Sequence, residues 1–247
     1  DGHLTLGKAL TLPRVSGHPA GAETPRVESL VVHYDTTVDS VVSGSTVVDV
    51  SGNGINGTLT NGAAYSSTDR AFTFDGVNDR IIATLNNPSG AWVHSISLWV
   101  KPSTLGEIAF TIGADNGNPA STTIGVHING TYFNYYFYAN DKVFTYNVSV
   151  NQLYHIVMTY DGGSTISSRR MWVNGTELTT YTTGGTIGAL NLGANAPLYI
   201  GYRKAGIQPF DGSISNFKLW NVALTAEEVA MEYALGRTGK SLNLTDT

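Results

Sequence analysis

The chain has 247 residues, a formal net charge of −5, 13% charged residues and no cysteine. These values exclude disulfides and thiolate metal sites, and the scattered Lys and Arg residues indicate no nucleic-acid surface. The sequence has no run of about 20 apolar residues, so no membrane insertion is predicted. The 28 glycines, with many Ser, Thr and Asn residues, favour short strands joined by tight turns.

Residues 1–29 differ in composition from the rest of the chain. Pro13, Pro19 and Pro25 are evenly spaced, and proline at this density disfavours helices and central strands. Two Leu-Thr-Leu runs, at 4–6 and 10–12, suggest some packing. We therefore predict an extended arm over residues 1–29. It is either a flexible linker or an arm that packs on a neighbouring subunit, for example in a homotrimer.

From residue 30 onward, apolar and β-branched runs predict strands that are separated by turn residues. Asn129-Gly130 and Asn174-Gly175 indicate tight hairpins. The predicted strands cover residues 30–34, 47–50, 71–74, 80–85, 95–101, 107–112, 123–128, 132–138, 154–160, 170–173, 198–202 and 214–220. Many short strands at this spacing predict an antiparallel sandwich.

One helix is predicted near the end of the chain, over residues 226–235. Thr225 and Glu228 have the spacing of a capping box, and Leu224 and Val229 that of a hydrophobic staple. Gly236 follows as the expected residue just beyond the helix end.

Six runs, at 49–59, 72–79, 95–102, 154–163, 171–175 and 211–229, resemble in their order the motifs of laminin-G-like (concanavalin A-like lectin/glucanase) domains. The resemblance implies an all-β, antiparallel two-sheet jelly-roll sandwich over residues 30–247, with one short C-terminal helix. It also implies binding to sugars or surfaces. Ser215 and Asn216 replace acidic residues that the family often has here, so no metal site is implied at these positions. The arm followed by a terminal jelly roll also resembles surface or fibre proteins of large DNA viruses of algae.

The acidic residues indicate no hydrolytic site. Glycosidases of this architecture commonly carry an E-x-D-x-x-E strand, whose alternation places all three carboxylates on one face. No such run occurs, and three of the seven Glu residues lie in the predicted helix. His155, between strand-like apolar residues, is interpreted as structural. We therefore predict that the protein is not an enzyme.

Several Asp and Asn side chains lie in Gly-rich loops, where oxygen ligands suit a structural Ca²⁺. The predicted metal ligands are Asp49, Asn53, Asp75, Asp79 and Asp211. The alternative is that they form Asx turns beside glycine.

The run from Tyr132 to Tyr138 carries aromatic residues on both strand faces. Phe133, Tyr135 and Phe137 share one face, which can fill a core. Tyrosine and amide side chains on the other face suit saccharides, because rings cover C–H faces and amides bind hydroxyls. The alternative is that both faces are buried. The predicted ligand-binding residues are Asn134, Tyr136, Tyr138 and Asn140, together with Trp92 and Tyr202.

The sequence thus predicts a non-catalytic module that recognises a glycan or a glycosylated cell surface, as part of a larger extracellular or virion protein. The alternative is a structural capsid or fibre module that makes only protein–protein contacts.

Overall fold

The computed structural model describes residues 24–113, 120–203 and 206–237. The predicted all-β architecture with one C-terminal helix is confirmed in this part of the chain, where the strands form two antiparallel sheets. The first strands are β1 Leu30–Tyr34, β2 Val42–Ser43, β3 Thr46–Val47, β4 Gly57–Thr60, β5 Ala64–Ser66, β6 Ala71–Asp75, β7 Arg80–Thr84, β8 His94–Pro102 and β9 Glu107–Gly113. The remaining elements are β10 Thr123–Asn129, β11 Tyr132–Tyr136, β12 Asn140–Thr145, β13 Tyr154–Tyr160, β14 Arg169–Val173, β15 Thr176–Glu177, β16 Tyr181–Gly185, β17 Pro197–Ile200, β18 Asp211–Trp220 and the helix α1 Ala226–Arg237.

The two sheets pack face to face. Sheet A has the order β15-β14-β13-β8-β18-β6-β5, with β1 also paired to β18. Sheet B has the order β16-β12-β11-β10-β9-β17-β7-β4-β3-β2. Because neighbouring strands in both sheets are often distant in sequence, the sandwich depends on long-range pairing.

Alternation of side chains along the strands builds the core between the sheets. On β8, Ile96, Leu98 and Val100 are fully buried in this core. On β11 and just after it, Phe133, Tyr135 and Phe137 occupy the same core, which confirms the face predicted for them.

Helix α1 covers the outer face of sheet A. Val157, Trp172 and Trp220 of that face form a second buried cluster with Leu224 and Val229. The predicted capping box is confirmed: the Glu228 N–H donates to Thr225 Oγ1 at 3.2 Å, and the Thr225 N–H donates to Glu228 Oε2 at 2.9 Å.

The predicted helix end was wrong, because the helix continues through Gly236 to Arg237. A Cβ atom at Gly236 would lie 2.1 Å from Trp99 Cζ2, well inside van der Waals contact. Gly236 therefore permits close approach of α1 to the Trp99 ring on sheet A. It does not end the helix through a left-handed backbone conformation.

The segment before β1 packs on the same side of the molecule as α1. The Trp220 indole N–H donates to Pro25 O at 2.9 Å, and Arg26 Nε lies 2.6 Å from Glu228 Oε1. Residues 24–29 thus fold back on their own domain. The rest of the predicted arm, residues 1–23, lies outside the described residues. Within those residues, no helix has the length and apolar character needed to cross a bilayer.

Candidate functional site

The outer face of sheet B is the broad strand surface that α1 leaves uncovered. One row of paired residues crosses eight neighbouring strands of this face, from β4 to β16. The row is Thr58, Ile82, Tyr199, Thr111, Gly125, Tyr136, Asp141 and Gly184. Since paired residues in adjacent strands project on the same side, the register places their side chains on the outer side of sheet B, where Thr111 and Tyr136 in the middle of the row are buried.

Tyr136 lies low on this surface because its neighbour in the row is a glycine. A Cβ atom at Gly125 would lie 2.5 Å from Tyr136 Cζ, so only a residue without a side chain leaves room for the ring. As a result Tyr136 is 5% exposed and its ring extends across β10.

Two arginines pack against the tyrosines of this face. Arg203 Cζ lies 5.9 Å from the ring centroid of Tyr136 and 5.8 Å from that of Tyr138. Arg80 Cζ lies 4.9 Å from the centroid of Tyr202, whose ring is 6.5 Å from that of Tyr199. These are cation–π distances, and the resulting aromatic strip spans the middle of the sheet.

Polar side chains border the strip. The side chain of Asn134 hydrogen-bonds Asp141, and burial raises the pKa of Asp141 while Arg169 opposes that shift. His127 Nε2 lies 3.3 Å from Gln208 Nε2, and its ring meets Tyr132 edge-on at 5.6 Å. Burial lowers the pKa of His127, which favours the neutral imidazole. The face therefore combines rings with amide and imidazole groups.

An open groove of about 530 Å³ lies at the β4–β7 end of the same face. Its volume is within the usual range for small-molecule sites. The lining residues are Gly54, Ile55, Asn56, Thr58, Thr60, Ile82, Ala83, Thr84 and Asn86. Hydroxyl and amide groups thus surround a small apolar floor.

Four of the six residues predicted to bind a ligand are brought together on this face: Asn134, Tyr136, Tyr138 and Tyr202. Asn140 and Trp92 lie elsewhere. Asn140 is fully buried, where it donates to Ser121 Oγ and to Gly188 O, each at 2.9 Å. The ring of Trp92 stacks on that of His94 at 5.7 Å, partly buried against the core.

Sequence reasoning missed Arg80, Tyr199, His127 and the polar groove. For Arg80 and Tyr199 a signal was present, because each alternates with buried apolar residues on its strand. The groove left no such signal, since it depends on how β4 and β7 pair.

The residues predicted to bind calcium fall into two separate places. Asp49 is surrounded by four donors: His33 N and Ser51 N reach Oδ1, while Ile55 N and Ser51 Oγ reach Oδ2, at 2.8–2.9 Å. Asn53 Nδ2 donates to Leu30 O at 2.7 Å. These two side chains therefore tie the loop to β1.

Asp75, Asp79 and Asp211 lie at one end of sheet A. Asp75 pairs with Asp211 across β6 and β18, and the Asp75 N–H donates to Asp79 Oδ2 at 3.1 Å. Burial, followed by the nearby Asp75 carboxylate, raises the pKa of Asp79. Within the described residues, no group of three or more His, Asp or Glu side chains is arranged to hold a metal ion. Calcium binding stays a prediction.

Comparison with solved structures identifies similar domains. Domain 4 of AbnA, a GH43 extracellular arabinanase from Geobacillus stearothermophilus in complex with arabinotriose, is 22% identical with a TM-score of 0.59. The match covers 83% of this chain and 98% of that domain.

Two larger proteins contain a similar domain as one part. A Trypanosoma rangeli sialidase in complex with sialic acid is 17% identical with a TM-score of 0.59, over 85% of this chain and 33% of that one. The botulinum neurotoxin serotype D binding domain is 15% identical with a TM-score of 0.55, over 84% of this chain and 52% of that one. At these identities the likeness shows the fold. No curated protein matches the sequence.

A family model described as the concanavalin A-like lectin/glucanases superfamily matches residues 75–230. This range includes most of both sheets and the start of α1, as the sequence motifs predicted. The chain, a jelly-roll sandwich, belongs to the concanavalin A-like lectin/glucanases superfamily.

Proposed function

We propose that the protein is a non-catalytic carbohydrate-recognition module that binds a saccharide across the outer face of sheet B. The observation that carries the proposal is the cross-strand arrangement on this face. It joins the tyrosine strip at Tyr199 and Tyr202 to a groove lined by threonine and asparagine side chains. Tyrosine rings suit the C–H faces of sugar rings, while hydroxyl and amide groups suit their hydroxyls.

Within the strands of sheet B, the position of the carboxylates supports binding without hydrolysis. Glu107 and Asp141 are the acidic residues in the described strands of sheet B. The register places Glu107 level with Phe144, three strands away, and Asp141 lies three residues further along β12. Their backbones are thus roughly 17 Å apart at strand spacing. Glycosidases place their two carboxyl groups within about 10 Å of each other.

The position of residues 24–29 and of α1 suits a module that displays the outer face of sheet B. The Pro25 carbonyl and α1 lie against sheet A, opposite the proposed binding face. Residues 24–29 therefore lie on the side of the sandwich away from the proposed binding face. We propose that the module acts at an extracellular or virion surface. The arabinanase whose domain it resembles is extracellular and was studied with arabinotriose.

A glycan array followed by isothermal titration calorimetry tests the proposal. We expect saturable binding to at least one saccharide. We also expect Tyr199→Ala and Tyr202→Ala to weaken that binding by roughly tenfold or more, as loss of a ring contact implies. Tyr181→Ala is the matched control, because Tyr181 is an exposed tyrosine (40%) whose ring meets the Phe144 ring edge-on at 6.0 Å.

Two outcomes would reject the proposal. One is an array without binding, with and without Ca²⁺, together with a stable oligomer in solution, which would favour a structural capsid or fibre module. The other is turnover of an oligosaccharide, which would make the protein an enzyme. A trimer through residues 1–29 has no support from the contacts of residues 24–29, which are made within the chain.

A further inference from the structure

Arg80 occupies an unusual position at the junction of the groove and the aromatic strip. It pairs with Thr60 across β4 and β7, and Thr60 lines the groove. Its side chain is partly exposed, and its guanidinium packs over the Tyr202 ring at 4.9 Å. A cationic group thus lies between the groove, which we propose binds sugar hydroxyls, and the aromatic strip, which we propose packs on a sugar ring.

The donors of this guanidinium are mostly unused. Nη1 donates to the Asn78 carbonyl at 3.0 Å, and that carbonyl also accepts from Asn61 Nδ2 at 3.2 Å. Arg80 Nε is buried and has no hydrogen-bond partner in the described part of the chain. A buried unpaired N–H is unfavourable, so the contacts of the described residues leave part of the hydrogen-bonding capacity of Arg80 unsatisfied.

Other described arginines contrast with Arg80 in how their charge is balanced. Arg26, Arg70 and Arg170 each lie 2.6 Å from a carboxylate oxygen. Arg169 is buried, and its guanidinium donates to Asn140 O and Asn140 Oδ1. Arg80 has no carboxylate within ion-pair distance among the described residues.

We infer that Arg80 binds the carboxylate of an acidic saccharide, so that the face selects sugars carrying a uronate or a similar carboxyl group. The inference rests on the proposed function and names its ligand class. A guanidinium presents parallel N–H donors that match the two oxygens of a carboxylate, and such charge-assisted pairs are stronger than neutral hydrogen bonds. The Asn78 carbonyl and the Tyr202 ring hold the group in place before the ligand arrives, which reduces the cost of ordering it on binding.

The selection of acidic sugars depends on one cationic side chain and not on the overall charge of the protein. The chain has a net charge of −5, so its overall field does not attract anions. Preference for an acidic sugar must then come from a specific cation on the binding face, and binding should weaken only moderately with added salt.

The experiment compares free-acid and methyl-esterified forms of the same sugars. Galacturonate, glucuronate and sialic-acid oligosaccharides serve as probes, with sulfated galactose oligosaccharides as a separate arm. We expect the wild-type protein to bind at least one free acid at least tenfold more tightly than its methyl ester. Arg80→Gln should remove this preference, and Arg80→Lys should restore part of it. Arg170→Gln, which also removes one arginine charge but on sheet A, should leave it unchanged.

The outcomes distinguish failure of the inference about Arg80 from failure of the proposed carbohydrate binding. Equal binding of acids and esters, or unchanged acid binding by a folded Arg80→Gln variant, would overturn the inference while the carbohydrate-binding function stands. Preference for sulfated over carboxylated probes would overturn it in the same way. No binding to any neutral or acidic probe would overturn both. If Arg80→Gln fails to fold, the ester comparison on the wild-type protein and on Arg80→Lys still decides.

Discussion

Lys218 Nζ lies 2.6 Å from Glu232 Oε1, and both side chains are 1% exposed. The pair joins β18 of sheet A to helix α1. Ser97 Oγ donates to the same glutamate oxygen at 3.3 Å and lies 2.9 Å from His155 Nε2. The helix is therefore attached to the sandwich through buried polar groups as well as through the apolar contacts of Trp172 and Val229.

Removal of one member of this pair should be costly. We expect Glu232→Ala to lower the free energy of unfolding by about 3–5 kcal/mol, because it leaves Lys218 as an uncompensated buried charge. The double change Lys218→Met with Glu232→Leu should cost much less. Urea denaturation measures both. Glu177→Ala, which breaks the exposed pair with Arg170, is the control and should cost under about 1 kcal/mol. A single-variant loss as small as the control would show that the buried pair is dispensable.

Gly236→Ala should destabilise the protein even though alanine is the better helix former. In an exposed helix interior this change stabilises by about 1 kcal/mol. Here the new methyl group would meet the Trp99 ring at 2.1 Å and push α1 away from sheet A. Thermal unfolding of Gly236→Ala beside Ala230→Gly, at an exposed helix position, checks this. A raised melting temperature for Gly236→Ala would contradict the close approach.

Asn140 should matter for stability and not for sugar binding. Its Oδ1 accepts from Arg169 Nη2 at 2.7 Å in the interior, so Asn140→Ala leaves a buried charged donor unpaired. We expect a loss of about 2–3 kcal/mol in the free energy of unfolding. The affinity for any bound saccharide should be unchanged. Asn134→Ala, on the outer face of sheet B, should weaken saccharide binding and leave the free energy of unfolding unchanged. Weakened binding with unchanged stability in Asn140→Ala would contradict this assignment.

Stability should fall as the pH drops from about 6.5 to about 4. Burial lowers the pKa of His94 and of His155 to about 4, so the folded state keeps both neutral while the unfolded state protonates them near pH 6.5. The unfolded state then binds more protons in this window, and each histidine contributes up to roughly 3 kcal/mol of pH-dependent destabilisation.

Near pH 4–5 the raised pKa values of Glu107 and Asp141 act in the opposite direction. Melting temperatures between pH 7 and pH 4.5 measure the sum of these effects. We expect a smaller decline in His155→Asn than in the wild-type protein. A decline in His155→Asn as steep as that of the wild-type protein would show that His155 does not contribute to the pH dependence.

Asp75, Asp79 and Asp211 are the predicted calcium ligands that lie together at one end of sheet A. The carboxylate oxygens of Asp49 already accept four hydrogen bonds. Asp79 is 5% exposed, and its Oδ1 has no partner among the described residues. If these carboxylates bind the ion, millimolar Ca²⁺ raises the melting temperature and EDTA reverses the rise. Asp79→Asn should remove the increase in melting temperature that Ca²⁺ causes. Asp49→Asn should lower the melting temperature and keep this increase. A wild-type melting temperature that does not change with Ca²⁺ would contradict the prediction of a calcium site.

Much of the fold and part of the site could be predicted from local pattern. The core face of Phe133, Tyr135 and Phe137 followed from alternation with a period of two residues, and the capping box followed from the Thr225–Glu228 spacing. The same alternation placed Tyr136 opposite that face. Asn140 was harder, because an amide after a turn has the same local pattern whether it meets solvent or a buried arginine.

Sequence alone therefore determined most of the strands and the helix start, since each depends on neighbours within about ten positions, and the order of six motifs indicated the family. It did not predict β2, β4, β5, β12, β15 or β16. Tertiary structure decided which outer face is open, because α1 covers sheet A through contacts between residues more than a hundred positions apart, such as Ser95 with Leu224. It also decided that Arg80, Tyr202 and the groove at Thr60 lie together. Strand order in space is set by long-range pairing, and that pairing leaves no periodic trace in the chain.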